Sequence, residues 1–184
     1  MNNPFRRRLF PAEREVALLD VRPGMAVADL GAGAGFYDPA LLKAVGPNGR
    51  LTLVEPDPAH LARLERTFGS DARVRCLATS AADLREIPTG SLDRAFLSLV
   101  LCCLRDKDGA MDELWRILAP GGRALVSYPR RWRSSAAAAG LGVTRGRWES
   151  LVQRHPWRAI PAPSSWILVR HLVEKPAPSR PPTN

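Results

Sequence analysis

Three glycines at alternate positions, Gly31, Gly33 and Gly35, follow directly on the apolar run Ala26-Val27-Ala28-Asp29-Leu30 and precede a helical pattern. Few patterns constrain a chain more. Without a Cβ the backbone can turn sharply from strand to helix and can approach a ligand closely. The helix that follows turns its first N–H groups toward that ligand. A dinucleotide site of the G-x-G-x-x-G kind would place its third glycine at position 36, where this chain has Phe36. The tighter spacing, with Asp29 two residues before the first glycine, suits a ligand bearing a cationic amino acid in place of a pyrophosphate. An aspartate repels phosphate and attracts an ammonium group.

Beyond the turn Arg22-Pro23-Gly24, short apolar runs alternate with helical periodicities, which predicts βαβ units around a parallel sheet. Strands are expected at 26–30, 51–54, 73–77, 94–101 and 123–128. The first helix, with Asp38 as N-cap and Pro39 at its first position, runs through Leu41, Leu42 and Val45 to Gly46-Pro47-Asn48-Gly49. The second sets Leu61, Leu64 and Phe68 on one stripe. The third sets Met111, Leu114, Trp115 and Leu118 on one face and ends at Pro120-Gly121-Gly122. Past Pro129 a helix at 144–154 and strands at 157–160 and 166–172 are expected, and the run Ala136 to Ala139 reads as the end of another helix. The organisation is then a basic arm at 1–10, one domain at 11–174, and a disordered tail at 175–184 carrying four prolines.

A chain of 184 residues has room for one such domain. Its 45% hydrophobic and 24% charged residues exclude collagen, a disordered chain and a coiled coil. No stretch approaches the ~18 apolar residues of a membrane span. Three cysteines, two of them adjacent (Cys102, Cys103), make neither a disulfide framework nor a zinc site, so a reducing compartment is expected. Arg6-Arg7-Arg8 leads into Pro11-Ala12-Glu13-Arg14-Glu15, the opposite of the apolar stretch that follows an export signal, and a cytoplasmic location is expected. Of the net charge of +9, nearly all lies in residues 130–184, where 10 Lys/Arg face only Glu149 and Glu174. Aromatic residues interleave there with arginine (Arg147-Trp148, Trp157-Arg158), as they do on nucleic-acid surfaces. A solvated basic face is the plainer reading.

A second signal is Glu55, at the end of the second strand and 24 residues beyond Gly31. A carboxylate at that strand tip can accept two hydrogen bonds from a ribose diol. Glycine cluster and acid, together with Ser91-Leu92-Asp93 and Leu114-Trp-Arg-Ile-Leu-Ala-Pro-Gly-Gly122, make residues 20–130 resemble the class I S-adenosylmethionine-dependent methyltransferases, especially the small-molecule type that includes the ubiquinone-biosynthesis enzymes. The resemblance implies a doubly wound, Rossmann-like α/β fold with a mostly parallel seven-stranded sheet and helices on both faces. It implies S-adenosylmethionine as cofactor, in-line methyl transfer to a small-molecule acceptor, and no metal. Gly31, Ala32, Gly33 and Gly35 would wrap the methionine part of the cofactor, with Asp29 toward its amino group. Glu55 would hold the ribose hydroxyls and Pro56 would lie near the adenine. Ser98 would lie near the methionine part.

Two departures stand out. Ser80-Ala81 occupies the place of a frequent Asp-Ala pair whose carboxylate meets the adenine, with Asp83 as a substitute only in a shifted register. Cys102-Cys103 stands where many relatives have His-His; on an extended segment at most one of the two could face the pocket, and core packing is the plainer role. Tyr37 and Asp38 are the candidates for a general base, against plainer roles as a lid and a helix cap. His60, His155 and His171 carry no assigned role. Strand four is not followed by the Asn/Asp-Pro-Pro-Tyr/Phe pattern of amino-methylating nucleic-acid enzymes, and no Pro-Cys nucleophile is present. An RNA- or polyanion-directed enzyme or accessory subunit, and a catalytically silent cofactor-binding module, remain open beside the small-molecule reading.

Overall fold

The computed structural model describes residues 11–130 and 142–178; the basic arm, the run Ala136 to Ala139 and the end of the tail lie outside the described residues. Twelve elements follow in chain order among the described residues: α1 (Ala12–Leu18), β1 (Ala26–Leu30), α2 (Asp38–Val45), β2 (Arg50–Val54), α3 (Pro58–Phe68), β3 (Val74–Leu77), β4 (Leu92–Ser98), α4 (Lys107–Ile117), β5 (Leu118–Pro129), α5 (Arg145–Val152), β6 (Arg158–Ile160) and β7 (Leu168–Glu174). They build one seven-stranded sheet in the order β3-β2-β1-β4-β5-β7-β6. β1 to β5 are parallel, and β7 runs antiparallel between β5 and β6. This is the doubly wound architecture expected from the alternation of strands and helices.

The central strands are buried on both faces, which is why they read as continuous apolar runs. In β4, Ala95 and Leu97 face one core with Leu30, Val54, Met111 and Leu114, while Phe96 faces the other with Val27, Leu41, Leu53 and Leu64. Each fully buried leucine or phenylalanine contributes roughly 1.5–3 kcal/mol. Helix α3 starts where the sequence puts a cap and a proline: Asp57 Oδ1 accepts the His60 N–H at 2.9 Å and Pro58 opens the first turn. It buries Leu64 and Phe68 and leaves Arg63 and Arg66 to solvent.

The last strand runs two residues later than expected, over 168–174, and three further departures have a local reason. β4 stops at Ser98, three residues early, because Leu99 adopts φ 64° and turns the chain off the sheet. Asp38 is not the cap of α2; Tyr37 holds that position without a side-chain cap bond, and Asp38 lies inside the first turn, buried. Leu118 belongs to β5, paired with Leu92, so Pro120-Gly121-Gly122 bends a strand and does not end a helix. Gly121 makes that bend at φ 80° and donates its N–H to Lys175 O at 2.7 Å. The strand order reverses between β2 and β4 on either side of β1, so the helices that follow β1 and β4 pack on opposite faces of the sheet. Such a switch point opens a crevice at the carboxyl ends of the strands.

Candidate functional site

The glycine loop leaves β1 at Leu30 and is tied at once to β2: Val54 O accepts both Gly31 N–H (2.8 Å) and Ala32 N–H (3.0 Å). Gly31, Gly33 and Gly35 all have positive φ (83°, 57° and 81°), a region L-residues avoid. Their surroundings separate their roles. A Cβ on Gly31 would sit 2.4 Å from Val100 Cγ2, so Gly31 admits the turn after β4. A Cβ on Gly35 would meet Phe68, Leu64 and Asp38 at 3.0–3.3 Å, so Gly35 admits α3 and its own helix. A Cβ on Gly33 would meet nothing within 4 Å, so this glycine faces open space.

Three carboxyl groups surround this loop from below. Glu55, one residue beyond β2, is buried and accepts the Gly33 N–H on Oε2 at 2.7 Å and the Asp57 N–H on Oε1 at 2.9 Å. Each oxygen keeps a second lone pair. Asp29 is 2% exposed, and its pKa is driven well above the ordinary carboxyl range, first by burial and then by the neighbouring Asp38 and Glu55 carboxylates. Asp38 is fully buried, and neither of its oxygens has a hydrogen-bond partner. Burial pushes its pKa up to about 6. A buried carboxylate without a donor is a demand for a cation or an N–H donor. The cluster therefore fits the group implied by the resemblance on three counts: an open glycine, spare acceptor capacity at a strand tip, and an orphaned acid that an ammonium would satisfy.

Pro56 is exposed beside Glu55. Ser80 and Ala81 lie in the turn after β3, where Ser80 Oγ accepts the Ala82 N–H at 3.0 Å. Asp83 faces outward and pairs with Arg85 at 2.7 Å, an arrangement that leaves Ser80-Ala81 as the segment following the strand. Ser98, at the end of β4, donates to Tyr37 Oη at 3.2 Å and accepts from Ser127 Oγ at 3.1 Å. The Tyr37 ring is buried edge-on against Phe96 and Phe36. The loop thus gathers Asp29, Gly31, Ala32, Gly33, Gly35, Tyr37, Asp38 and Glu55, with Ser98 on the far wall. Two histidines are engaged elsewhere: His155 stacks on Trp115, and His171 stacks on Trp148 and shares a hydrogen bond with Tyr128; His60, on α3, sets Nδ1 3.7 Å from Asp57 Oδ1 and 4.0 Å from Glu55 Oε1. A cavity of about 360 Å³ lined by Arg50, Thr52, Arg75 and Ser91 lies at the opposite end of the strands, away from these groups.

Sequence reasoning missed the wall opposite the glycines. Cys102 and Cys103 do not sit on an extended segment but on the turn after β4, with both sulfurs on the same side, 3.8 Å apart. The buried pair Glu15–Arg170, joined by an Nε–Oε2 bond of 2.8 Å and a second shorter one, ties α1 to β7. No local signal pointed to it, since 155 residues separate the partners.

The Methyltransferase domain family model matches residues 28–126, from within β1 to within β5. Among curated proteins, the chain is 32% identical over 107 residues to the ubiquinone/menaquinone biosynthesis C-methyltransferase of Bordetella avium, covering 58% of this chain and 42% of that protein. The corresponding enzyme of Bordetella parapertussis is 34% identical over 108 residues, covering 58% and 41%. The chain thus spans less than half the length of these relatives. Among solved structures, a SAM-dependent methyltransferase from Aquifex aeolicus superposes with a TM-score of 0.77 at 20% identity, over 95% of this chain and 94% of that one. The [4+2]-cyclase SpnF superposes at 0.74 and 17% identity, over 92% and 80%. These two likenesses concern the fold alone, and their differing chemistries show how little fold fixes reaction. With the family match running through the glycine loop, Glu55 and Ser98, the chain belongs to the methyltransferase-domain family.

Proposed function

We propose that this protein transfers a methyl group from S-adenosylmethionine to a small-molecule acceptor. The observation that carries the reading is the joint between two strand tips: Glu55 binds the N–H of Gly33, the one loop glycine that faces open space, and keeps spare lone pairs beside it. In this reading Glu55 accepts the ribose hydroxyls, and Asp29 with Asp38 receives the amino group of the methionine part. Gly31, Ala32, Gly33 and Gly35 supply a backbone wall, Pro56 and Ser80-Ala81 border the adenine, and Ser98 borders the methionine part. When bound, the cofactor supplies a sulfonium that is already an activated methyl donor. The work left to the protein is in-line alignment of donor and acceptor, an effect that reaches ~7–11 kcal/mol in well-oriented cases. Tyr37 serves that alignment, held by Ser98 and Phe96, and Asp38 serves it as a charge partner; neither is needed as a base for an acceptor that arrives deprotonated.

Two observations support a small acceptor over a polyanion. The relatives at 32–34% identity are named for quinone biosynthesis. All five arginines of residues 142–178 already face carboxylates: Arg145 on Glu149, Arg147 on Asp108, Arg154 on Asp112, Arg158 on Glu174 and Arg170 on Glu15.

Calorimetric titration with S-adenosylmethionine, S-adenosylhomocysteine and NAD tests the reading. Binding of the first two and silence from NAD is expected. Gly33→Val should abolish cofactor binding and leave the circular dichroism spectrum intact, because its side chain enters open space at a strained φ. Tight NAD binding, or a Gly33→Val variant with normal affinity, overturns the assignment.

A further inference from the structure

The turn after β4 carries two thiols that methyl transfer does not use. Leu99, at φ 64°, aims its carbonyl back at both of them: Cys102 Sγ lies 3.4 Å and Cys103 Sγ 3.5 Å from Leu99 O. The sulfurs are 3.8 Å apart, Cys103 exposed and Cys102 buried. Between Leu99 and this pair lie Val100 and Leu101, and the Val100 side chain fills the space beside Gly31 that a Cβ would need. A rearrangement of the turn that moves Val100 therefore bears on the glycine loop at Gly31.

We propose that Cys102 and Cys103 form a reversible dithiol–disulfide site whose closure weakens cofactor binding by shifting Val100 against Gly31. Its functional consequence rests on the reading of the glycine loop given above. The oxidant is a low-molecular-weight disulfide. The exposed Cys103 attacks first as thiolate, forming a mixed disulfide and releasing one small thiol. Cys102 then loses its proton, attacks Cys103 Sγ and expels the second small thiol. Two protein thiols are oxidised and one small disulfide is reduced to two thiols. The order of attack follows from burial, which pushes the Cys102 thiol up to about 12, with the Cys103 sulfur beside it adding to the effect. The product is strained: neighbouring Cα atoms lie about 3.8 Å apart across a trans peptide, short of the roughly 4.4–6.8 Å that relaxed disulfides span. Strained disulfides are readily reduced, which suits a switch and not a staple.

The test uses the full chain incubated with oxidised glutathione. Intact mass and peptide mapping should show the loss of two hydrogens on the peptide holding Cys102 and Cys103. Amides of residues 31–35 should exchange faster, S-adenosylhomocysteine affinity should fall about tenfold, and dithiothreitol should restore all three. Cys103→Ser should abolish every change, and Cys76→Ser should abolish none. A persistent glutathione adduct, an unmodified pair, or a closed pair with unchanged exchange and affinity overturns the proposal. If the reduced protein binds no S-adenosylhomocysteine, the cofactor reading fails, while mass and amide exchange still decide whether the pair closes and moves the loop.

Discussion

The two walls of the crevice are built on different principles. The wall at β1 and β2 comes from two short stretches, 29–38 and 55–57, and its polar atoms keep capacity in reserve. Each Glu55 oxygen accepts one N–H, and the Asp38 oxygens accept none. The wall at β4, β5 and β7 is assembled from distant residues whose polar groups are turned on one another. Ser127 donates to Ser98, Tyr128 meets His171 at 2.8 Å, and Arg170 meets Glu15, while Ser98 reaches across to Tyr37 of the first wall. A wall with open acceptors takes a ligand, and a wall that satisfies itself sets the shape against which that ligand lies.

The sharpest way to break this contrast is to remove a partner from the satisfied wall. In Arg170→Met, Glu15 keeps its burial and loses its ion pair; both side chains are under 10% exposed. Stranding a buried charge costs about 3–5 kcal/mol. Urea unfolding should show a loss of that size, and Glu15→Gln in the same chain should recover much of it. Cofactor affinity per folded molecule should hold. If affinity falls in step with stability, the wall at β7 takes part in binding and the division between the two walls fails.

The same contrast explains what the sequence could reveal. The glycine loop and Glu55 are legible because each is a backbone requirement met by neighbours in the chain: positive φ at 31, 33 and 35, and a carboxylate at a strand tip. Leu64 and Phe68 are legible because α3 has one face to bury. Asp38 was misread because Asx before proline is also the local signature of a cap, and only the tertiary fold shows α3 and Asp29 enclosing it. Core packing holds for Cys102, but the extended segment expected for the two cysteines does not, because an apolar run continues the strand pattern through Leu101, while Leu99 leaves that pattern at a φ no residue scale anticipates. Glu15–Arg170 was beyond reach, since nothing local marks a pair that topology alone brings together.

Asp38 gives a smaller, pH-dependent test of the open wall. Its native pKa of about 6 lies above the ordinary value of 3.8, so between these the folded state holds more protons than the unfolded chain. Stability from this group is then present at low pH and is lost as pH rises from about 4 toward 6. Asp38→Asn should therefore stabilise the protein above pH 6, by up to about 3 kcal/mol, and should make no difference below pH 4. The same variant should weaken S-adenosylmethionine binding at pH 8, where the native carboxylate is charged. A variant that gains stability and keeps full affinity would relieve Asp38 of its ligand role and leave it a buried strain.

The least effect is expected on the basic face, and there the expectation of no change is itself informative. Arg145 is 92% exposed and bonds Glu149 one helical turn away, an arrangement with little influence on stability. Arg145→Ala should leave the unfolding midpoint where it was. The charge of this region should matter equally little to RNA: Arg147, Arg154, Arg158 and Arg170 face carboxylates, and each must give up a partner before it can neutralise a phosphate. Any RNA retention should be weak, with a shallow dependence of log K on log salt, because that slope counts the phosphates neutralised. A steep slope that flattens in Arg145→Ala would mean that the arginines exchange their acids for phosphates. The basic face would then be an open surface, and the acceptor a polyanion.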